Sequence, residues 1–448
     1  MKLAALLCAA LVSACAALEA SPTPTAPRQP PPLATLPPPA LGTPPRASGP
    51  TPGLPSLAPV PSPADTPPDS ALARHLQQLV DDWREVESVP GAVLGLRLGD
   101  GETLVVASGR TDDGGGQPIE AQHRFRIGSI TKTFIAVLML QLAEEDLLDL
   151  DDRLAEHLPW APHADELTLR QLLEQTSGLP DFGGLAAYRQ SLLANPARVW
   201  EARETVELVA GLELDFEPGS RWAYSNTNYT LAGLVAEEVT GRDLAGLLRD
   251  GISQPAGLAS TYLEGLEPAP PIETAGHYDL DGDGRAENVR MIPYTGLVTS
   301  GAAAGGLSST ARDTLEFAGA LFGSELLGEA GLALLTTGSP VNPAYGLGLA
   351  LFERDGRLLW GHAGALPGYS ALLIHAPAEQ VSVVALANQS GVELQALLED
   401  ALLLVEERGA DCGRWSSRAA AAPAGALPAR ESTSAFCGTP SSPADSAL

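Results

Sequence analysis

The segment Phe125-Arg126-Ile127-Gly128-Ser129-Ile130-Thr131-Lys132 passes from an extended run into a helix that the apolar pattern carries from near Ser129 to about Ala143. Ser129 and Lys132 are three residues apart, one helical turn along the same face. The lysine stands out because the chain hardly uses the residue. Of 27 basic residues, two are lysines, Lys2 and Lys132, and the others are arginine. Arginine is locked in its charged form, whereas a lysine in a dry, crowded site can lose or relay a proton. Lysine is therefore kept where arginine could not do the job. Ser-x-x-Lys is the spacing of a nucleophile with its proton handler. A helix N-terminus beside Ser129 offers free N–H groups and partial positive charge to a developing anion. Gly128 is expected to let a substrate approach closely.

Outward from this segment, Ala71 to Val86 carries an apolar stripe (Leu72, Leu76, Leu79, Val80, Trp83) that predicts a helix. Ala92–Leu98 and Thr103–Ser108 are β-rich and joined by Gly99-Asp100-Gly101, a hairpin signal. Helical patterns follow over Thr168–Thr176, Asn228–Thr240, Asp243–Arg249 and Thr310–Phe322. Strand character returns over Gly346–Phe352, Arg357–Trp360, Tyr369–His375 and Val381–Ala387, before a last helix over Val392–Glu407. The order predicts an α/β protein of the α+β type. An antiparallel sheet is built from both ends of the core and flanked by N- and C-terminal helices, with an inserted, mostly helical lobe. The site is expected in the cleft between the lobes.

The ends of the chain are of another kind. Residues 1–14 read as an export signal: Lys2, an apolar run from Leu3 to Val12, then small residues. Val12-Ser13-Ala14-Cys15 resembles a lipobox, so Cys15 is expected to be lipidated and to anchor the mature protein to a bacterial membrane, periplasmic or at the cell surface. Residues 15–69 form a Pro-rich tether, with 19 prolines between residues 21 and 69. Residues 70–408 form the catalytic unit, and 409–448 a low-complexity tail. Cys412 and Cys437 are either bridged or two free thiols. No later apolar run reaches transmembrane length. A net charge of −28 argues against a nucleic-acid partner.

Two further groups of residues carry chemistry. Tyr224 and Asn226 are two apart after a Pro218-Gly219 turn, and in an extended segment both would face one cleft. A phenol beside a lysine ammonium can have its pKa lowered and act as a general base. His362-Ala363-Gly364 follows the strand Leu358-Leu359-Trp360 and reads as the start of a turn ended by Pro367-Gly368. Its small residues are expected to let the strand edge lie against a substrate backbone.

Taken together, Ser129-x-x-Lys132, Tyr224-x-Asn226 and His362-Ala363-Gly364 resemble, in that order, the serine hydrolases that include class C β-lactamases, D-alanyl-D-alanine carboxypeptidases and related esterases. Leu169-Arg170-Gln171-Leu172-Leu173, Thr176-Ser177-Gly178-Leu179-Pro180, Glu217-Pro218-Gly219 and the run Ala304 to Asp313 add to the resemblance, which covers roughly residues 75–405. It implies a β-lactamase/transpeptidase-like fold and an acyl-enzyme mechanism without a cofactor. Ser129 attacks a carbonyl, and Tyr224, tuned by Lys132, moves the proton. Backbone N–H groups of Ser129 and Ala365 form the oxyanion hole. Asn226 holds the substrate amide and the Lys132 ammonium, and His362 and Gly364 bind the substrate.

The sequence departs from the class C pattern at position 362, where histidine replaces lysine. The resemblance implies histidine there in the peptidase and esterase branches. The leading expectation is an exported serine hydrolase of the D,D-carboxypeptidase or esterase type, acting on a small-molecule or peptide substrate with a scissile carbonyl. A class C-like β-lactamase and a non-catalytic module binding cell-wall peptides are the alternatives. Separately, Asp279-Leu280-Asp281-Gly282-Asp283-Gly284 begins like a calcium loop but lacks its closing glutamate, since Arg290 takes that position. Two readings stand: a structural calcium held by Asp279, Asp281 and Asp283, or an acidic surface loop.

Overall fold

The computed structural model describes residues 71–280, 282–354 and 356–406. The signal, the tether, the tail, all four cysteines and Asp281 lie outside the described residues.

One six-stranded sheet organises the molecule. Its strands are β1 (Gly91–Arg97), β2 (Thr103–Gly109), β3 (Ala350–Arg354), β4 (Arg357–Leu366), β5 (Tyr369–Ala376) and β6 (Val381–Ala387), in the spatial order β2-β1-β6-β5-β4-β3. All neighbours are antiparallel. β1 pairs with the last strand, β6, and carries β2 on its other side, so both ends of the described chain enter one sheet and the long middle segment is left to form a lobe. β6 is buried at every position because both faces of the sheet are covered. On one face, helix α1 (Ala71–Val86) packs through Leu72, Leu76 and Val80, together with Leu397, Leu398 and Ala401 from the C-terminal helical residues 395–406.

Against the other face lies the helical lobe. Its central helix, α2 (Thr131–Glu144), is apolar almost all round and buried on nearly every side. α3 (Asn226–Thr240) and α4 (Ala311–Phe322) pack beside it, and Phe134 of α2 stacks on Phe317 of α4 with centroids 3.6 Å apart. Lys132 sits in the first turn of this buried helix, which is why its side chain is inside the protein. Among the described residues no helix is long and apolar enough to cross a membrane.

The expected elements are present, with three corrections. The strand expected over Gly346–Phe352 begins only at Ala350. Gly348 has φ +66°, and a Cβ there would meet the Lys132 carbonyl oxygen at 2.8 Å, so residues 346–349 fold onto α2 instead. The strand expected to stop at Trp360 runs to Leu366, so His362, Ala363 and Gly364 lie inside β4 rather than in a turn. The helix expected from Asn228 starts at Asn226. Glycine was the misleading signal in the second case, since close backbone approach selects it as strongly as a turn does.

Candidate active site

β3 begins at Ala350, opposite Gly361, so past Gly361 one edge of β4 has no strand beside it. The turn that carries Ser129 fills the gap. Gly128–Ile130 form a single 3₁₀ turn leading into α2, and Gly128 has φ +49°. A Cβ on Gly128 would lie 2.7 Å from the Ala365 nitrogen, and one on Gly364 would lie 1.8 Å from the Ile127 carbonyl oxygen. Both glycines therefore serve contact between strand and turn. The consequence is that the backbones of Ser129 and Ala365 come side by side.

Behind this pair sits Lys132, which is 0% exposed. Its Nζ donates to Ser129 Oγ at 3.0 Å, to Asn226 Oδ1 at 2.8 Å and to the Ala304 carbonyl oxygen at 2.7 Å. Three acceptors match the three N–H bonds of an ammonium. A charge buried without such partners would be destabilising by several kcal/mol. The Tyr224 ring lies against the same ammonium, 4.7 Å from Nζ to the ring centroid. Tyr224 and Asn226 thus both face Lys132, although they do so from a short extended approach and a helix start rather than from one continuous extended segment.

His362 closes the back of the site. It is 2% exposed, and its ring stands 6.3 Å from that of Tyr224, centroid to centroid. Nδ1 donates to the Ala363 carbonyl oxygen at 2.6 Å, which leaves Nε2 to accept from the Tyr345 hydroxyl at 3.1 Å. Burial first, and then the Lys132 charge, lower its pKa to about 3 against the opposing hydrogen bond to the Ala363 carbonyl. This histidine is neutral at any ordinary pH. The site therefore has two layers: Ser129, Tyr224, Asn226 and Ala365 are partly exposed, while Lys132 and His362 are buried behind them.

Three residues that sequence reasoning missed hold the constellation. Asp181 Oδ1 accepts from the Asn226 backbone N–H at 3.0 Å, and Oδ2 accepts from Asn226 Nδ2 at 3.3 Å. With Nδ2 turned toward Asp181, Oδ1 of Asn226 is turned toward Lys132. Burial raises the Asp181 pKa, opposed by the N–H donors of Asn226 and Gly183 and by the Lys132 charge. Gln175, at φ +64°, accepts through Oε1 from the Ser225 N–H at 3.0 Å and from Asn228 Nδ2 at 2.6 Å. Tyr345 fixes the His362 tautomer. Asp181 directly follows the Thr176–Pro180 run, and that adjacency was the only available signal.

The acidic loop lies elsewhere. Asp279 accepts from the N–H groups of Gly282 at 2.7 Å and Gly284 at 2.9 Å, and Asp283 Oδ1 accepts from the Arg285 N–H at 2.9 Å.

Residues 70–406 match the family described as Beta-lactamase. A D-aminopeptidase of Cereibacter sphaeroides is 30% identical over 363 residues, covering 78% of this chain and 66% of that protein. Penicillin-binding protein 4 of Amycolatopsis lactamdurans is 30% identical over 342 residues, covering 71% of this chain and 85% of that protein. Among solved structures, the D-amino acid amidase from Ochrobactrum anthropi SV3 complexed with L-phenylalanine amide superposes with a TM-score of 0.66 at 28% identity, over 75% of this chain and 99% of that one. The chain therefore belongs to the Beta-lactamase family and is a serine hydrolase of β-lactamase/transpeptidase-like fold.

Proposed function

We propose that the protein hydrolyses amide bonds whose acyl side is a D-configured amino acid, through an acyl-enzyme on Ser129. The observation that carries this reading is the buried, neutral His362. A β-lactam or a D-alanyl-D-alanine terminus presents a carboxylate, and a fixed cation at this position would meet it. A neutral imidazole already engaged by Tyr345 and Ala363 offers no such charge. An amino acid amide has no carboxylate to satisfy. The D-aminopeptidase and D-amino acid amidase relatives agree with that preference. An almost wholly apolar cavity lined by Leu192, Tyr278, Ile292, Tyr294, Leu297 and Pro367 begins two residues past Ala365 and suits an apolar side chain.

This reading assigns each group of the site one role. Ser129 Oγ attacks the amide carbon while Tyr224 takes its proton, and the N–H groups of Ser129 and Ala365 receive the developing oxyanion. Collapse of that intermediate breaks the C–N bond, Tyr224 returns the proton to the leaving amine, and an ester remains on Ser129. Water then attacks the ester, again giving up a proton to Tyr224, and Ser129 leaves with that proton. Lys132 stays an ammonium throughout and holds Ser129 and Asn226 in place. No cofactor enters. Export and attachment to a bacterial membrane through lipidated Cys15 belong to the same reading, and a Cys15→Ser variant that leaves the membrane fraction supports it.

The test is a set of rates with D- and L-phenylalanine amide, a D-Ala-D-Ala peptide, a p-nitrophenyl ester and nitrocefin, with Ser129→Ala as the blank. The reading expects the D-amide to lead in kcat/KM by at least about tenfold. Nitrocefin ahead of the D-amide overturns it in favour of a β-lactamase.

A further inference from the structure

We propose that Asp112, Asp113 and His277 form a binding site for a divalent first-row transition ion, of which zinc is the representative. The site lies outside the catalytic cleft, where three separate chain segments meet.

The imidazole is the informative member. His277 lies in the short strand His277–Tyr278, paired with Glu287–Asn288. Its side chain is 0% exposed. Nδ1 lies 2.9 Å from the Asn388 carbonyl oxygen. A carbonyl oxygen only accepts, so Nδ1 carries the hydrogen and Nε2 of the neutral ring bears the lone pair. That buried Nε2 has no hydrogen-bond partner. It points at Asp113, whose Oδ1 is 3.1 Å away but without hydrogen-bond geometry. One ligand atom each from Asp112, Asp113 and His277 falls within 4.8 Å of the others. Two carboxylates and an imidazole lone pair converging in this way repel one another unless a cation joins them. Arg290 reaches only Asp112, with Nη1 4.0 Å from Oδ2, and has no ion pair with Asp113 among the described residues.

The outer hydrogen bonds are those a metal site needs. A ligating histidine donates its other ring N–H to a carbonyl or carboxylate, which fixes the tautomer and the ring. His277 does this with Asn388. Asp112 Oδ1 accepts from the Gly114 N–H at 2.8 Å, which orients its carboxylate. The frame is rigid as well, because the His277 N–H donates to the Asn388 carbonyl and the Ser390 N–H donates back to the His277 carbonyl. A donor set of one nitrogen and two carboxylate oxygens suits zinc or manganese better than calcium or magnesium, which take oxygen ligands. Asp113 is half exposed, so a fourth position is open to water. The ion would clip the loop after β2 to the end of β6. The His277 N–H also reaches the Gly368 carbonyl, in the turn three residues past Ala365, so the clip would steady the strand edge that faces Ser129.

The experiment uses the full chain, stripped with EDTA and titrated with zinc chloride. Bound zinc is counted by mass spectrometry and stability is followed by thermal melting. One zinc per chain and a rise of about 3 °C or more are expected. Asp113→Asn, an exposed change that leaves the core alone, should weaken zinc binding at least about tenfold and abolish the rise. His277→Gln should do the same if it folds, and the conclusion does not depend on it. Asp279→Asn, in the separate acidic loop, should change neither. Absence of a zinc-dependent rise overturns the proposal. So does a rise that survives Asp113→Asn, or one lost only with Asp279→Asn. A loss of stability in Asp113→Asn that is equal in EDTA and in zinc also overturns it, and leaves an ordinary His277–Asp113 ion pair.

Discussion

Gly364 touches the Ile127 carbonyl so closely that a Cβ would stand 1.8 Å from the oxygen. That contact puts the edge of β4 against the Ser129 turn and brings the backbones of Ser129 and Ala365 together. Gly364→Ala must push the two apart by an ångström or more. Misplacement of that size can reduce turnover about a hundredfold. We expect at least that loss in kcat/KM, together with a lower melting temperature. A Gly364→Ala enzyme within a few-fold of the parent would show that the apposition is not needed for catalysis.

Lys132 is held by three acceptors at 2.7 to 3.0 Å and has no exposed surface. The guanidinium fork of Lys132→Arg does not fit between Ser129, Asn226 and Ala304. A loss of at least about a thousandfold in kcat/KM is expected, equivalent to roughly 4 kcal/mol of transition-state stabilisation. Overpacking should also lower the melting temperature. Activity within about tenfold of the parent would remove any need for a compact ammonium.

Asp181 acts through Asn226. Asp181→Asn keeps the shape but replaces an acceptor with a donor opposite Asn226 Nδ2, which favours the flipped amide and turns Nδ2 toward the Lys132 ammonium. About a tenfold to hundredfold fall in kcat is expected. Asp181→Glu should recover less than half of it, because the longer side chain moves the acceptor. If Asp181→Asn changes only the melting temperature and leaves kcat intact, Asp181 is structural alone.

Legibility in the sequence followed the distance over which each feature is determined. Ser129 with Lys132, and Tyr224 with Asn226, could be read because their spacing within one turn or one short segment already places both on one side. The sheet could be read because β1, β2, β5 and β6 are rich in apolar and β-branched residues and short enough for strands. The extent of β4 was misread because Gly361 and Gly364 answer to distant neighbours, Leu373 and Ile127, and resemble turn glycines locally; the start of β3 was misread because the left-handed bend at Gly348 is set by its contact with Lys132. Asp181, Gln175 and Tyr345 gave almost no signal, since their roles exist only once three remote segments meet. The neutrality of His362 was equally out of reach, being a product of burial.

That burial has a consequence for acid stability. In the folded protein the His362 pKa is lowered to about 3 and that of His375 to about 4, in both cases first by desolvation, from an ordinary 6.5. Below about pH 6.5 the unfolded chain takes up protons at these rings while the native protein does not. The unfolded state then binds more protons, so stability falls as pH falls. The contribution is fully present above pH 6.5 and is lost as pH drops toward 4 and then 3. Each histidine contributes a slope of up to about 1.4 kcal/mol per pH unit in that window. Asp181 and Asp313 act in the opposite sense, since burial raises their pKa values and acid favours the folded form through them. The parent slope is therefore a net quantity, and a variant isolates one part of it. His375 is the one to change, because it lies away from the catalytic residues, stacked on Phe322 at 4.1 Å with Nδ1 2.9 Å from Ser382 Oγ. His375→Gln removes one titrating ring. Whatever it does to the melting temperature at pH 7.5, the fall in melting temperature between pH 6.5 and 4.5 should be shallower than in the parent. Thermal melts at half-unit intervals measure this directly, and parallel curves for parent and variant would mean that His375 titrates alike in the folded and unfolded chain.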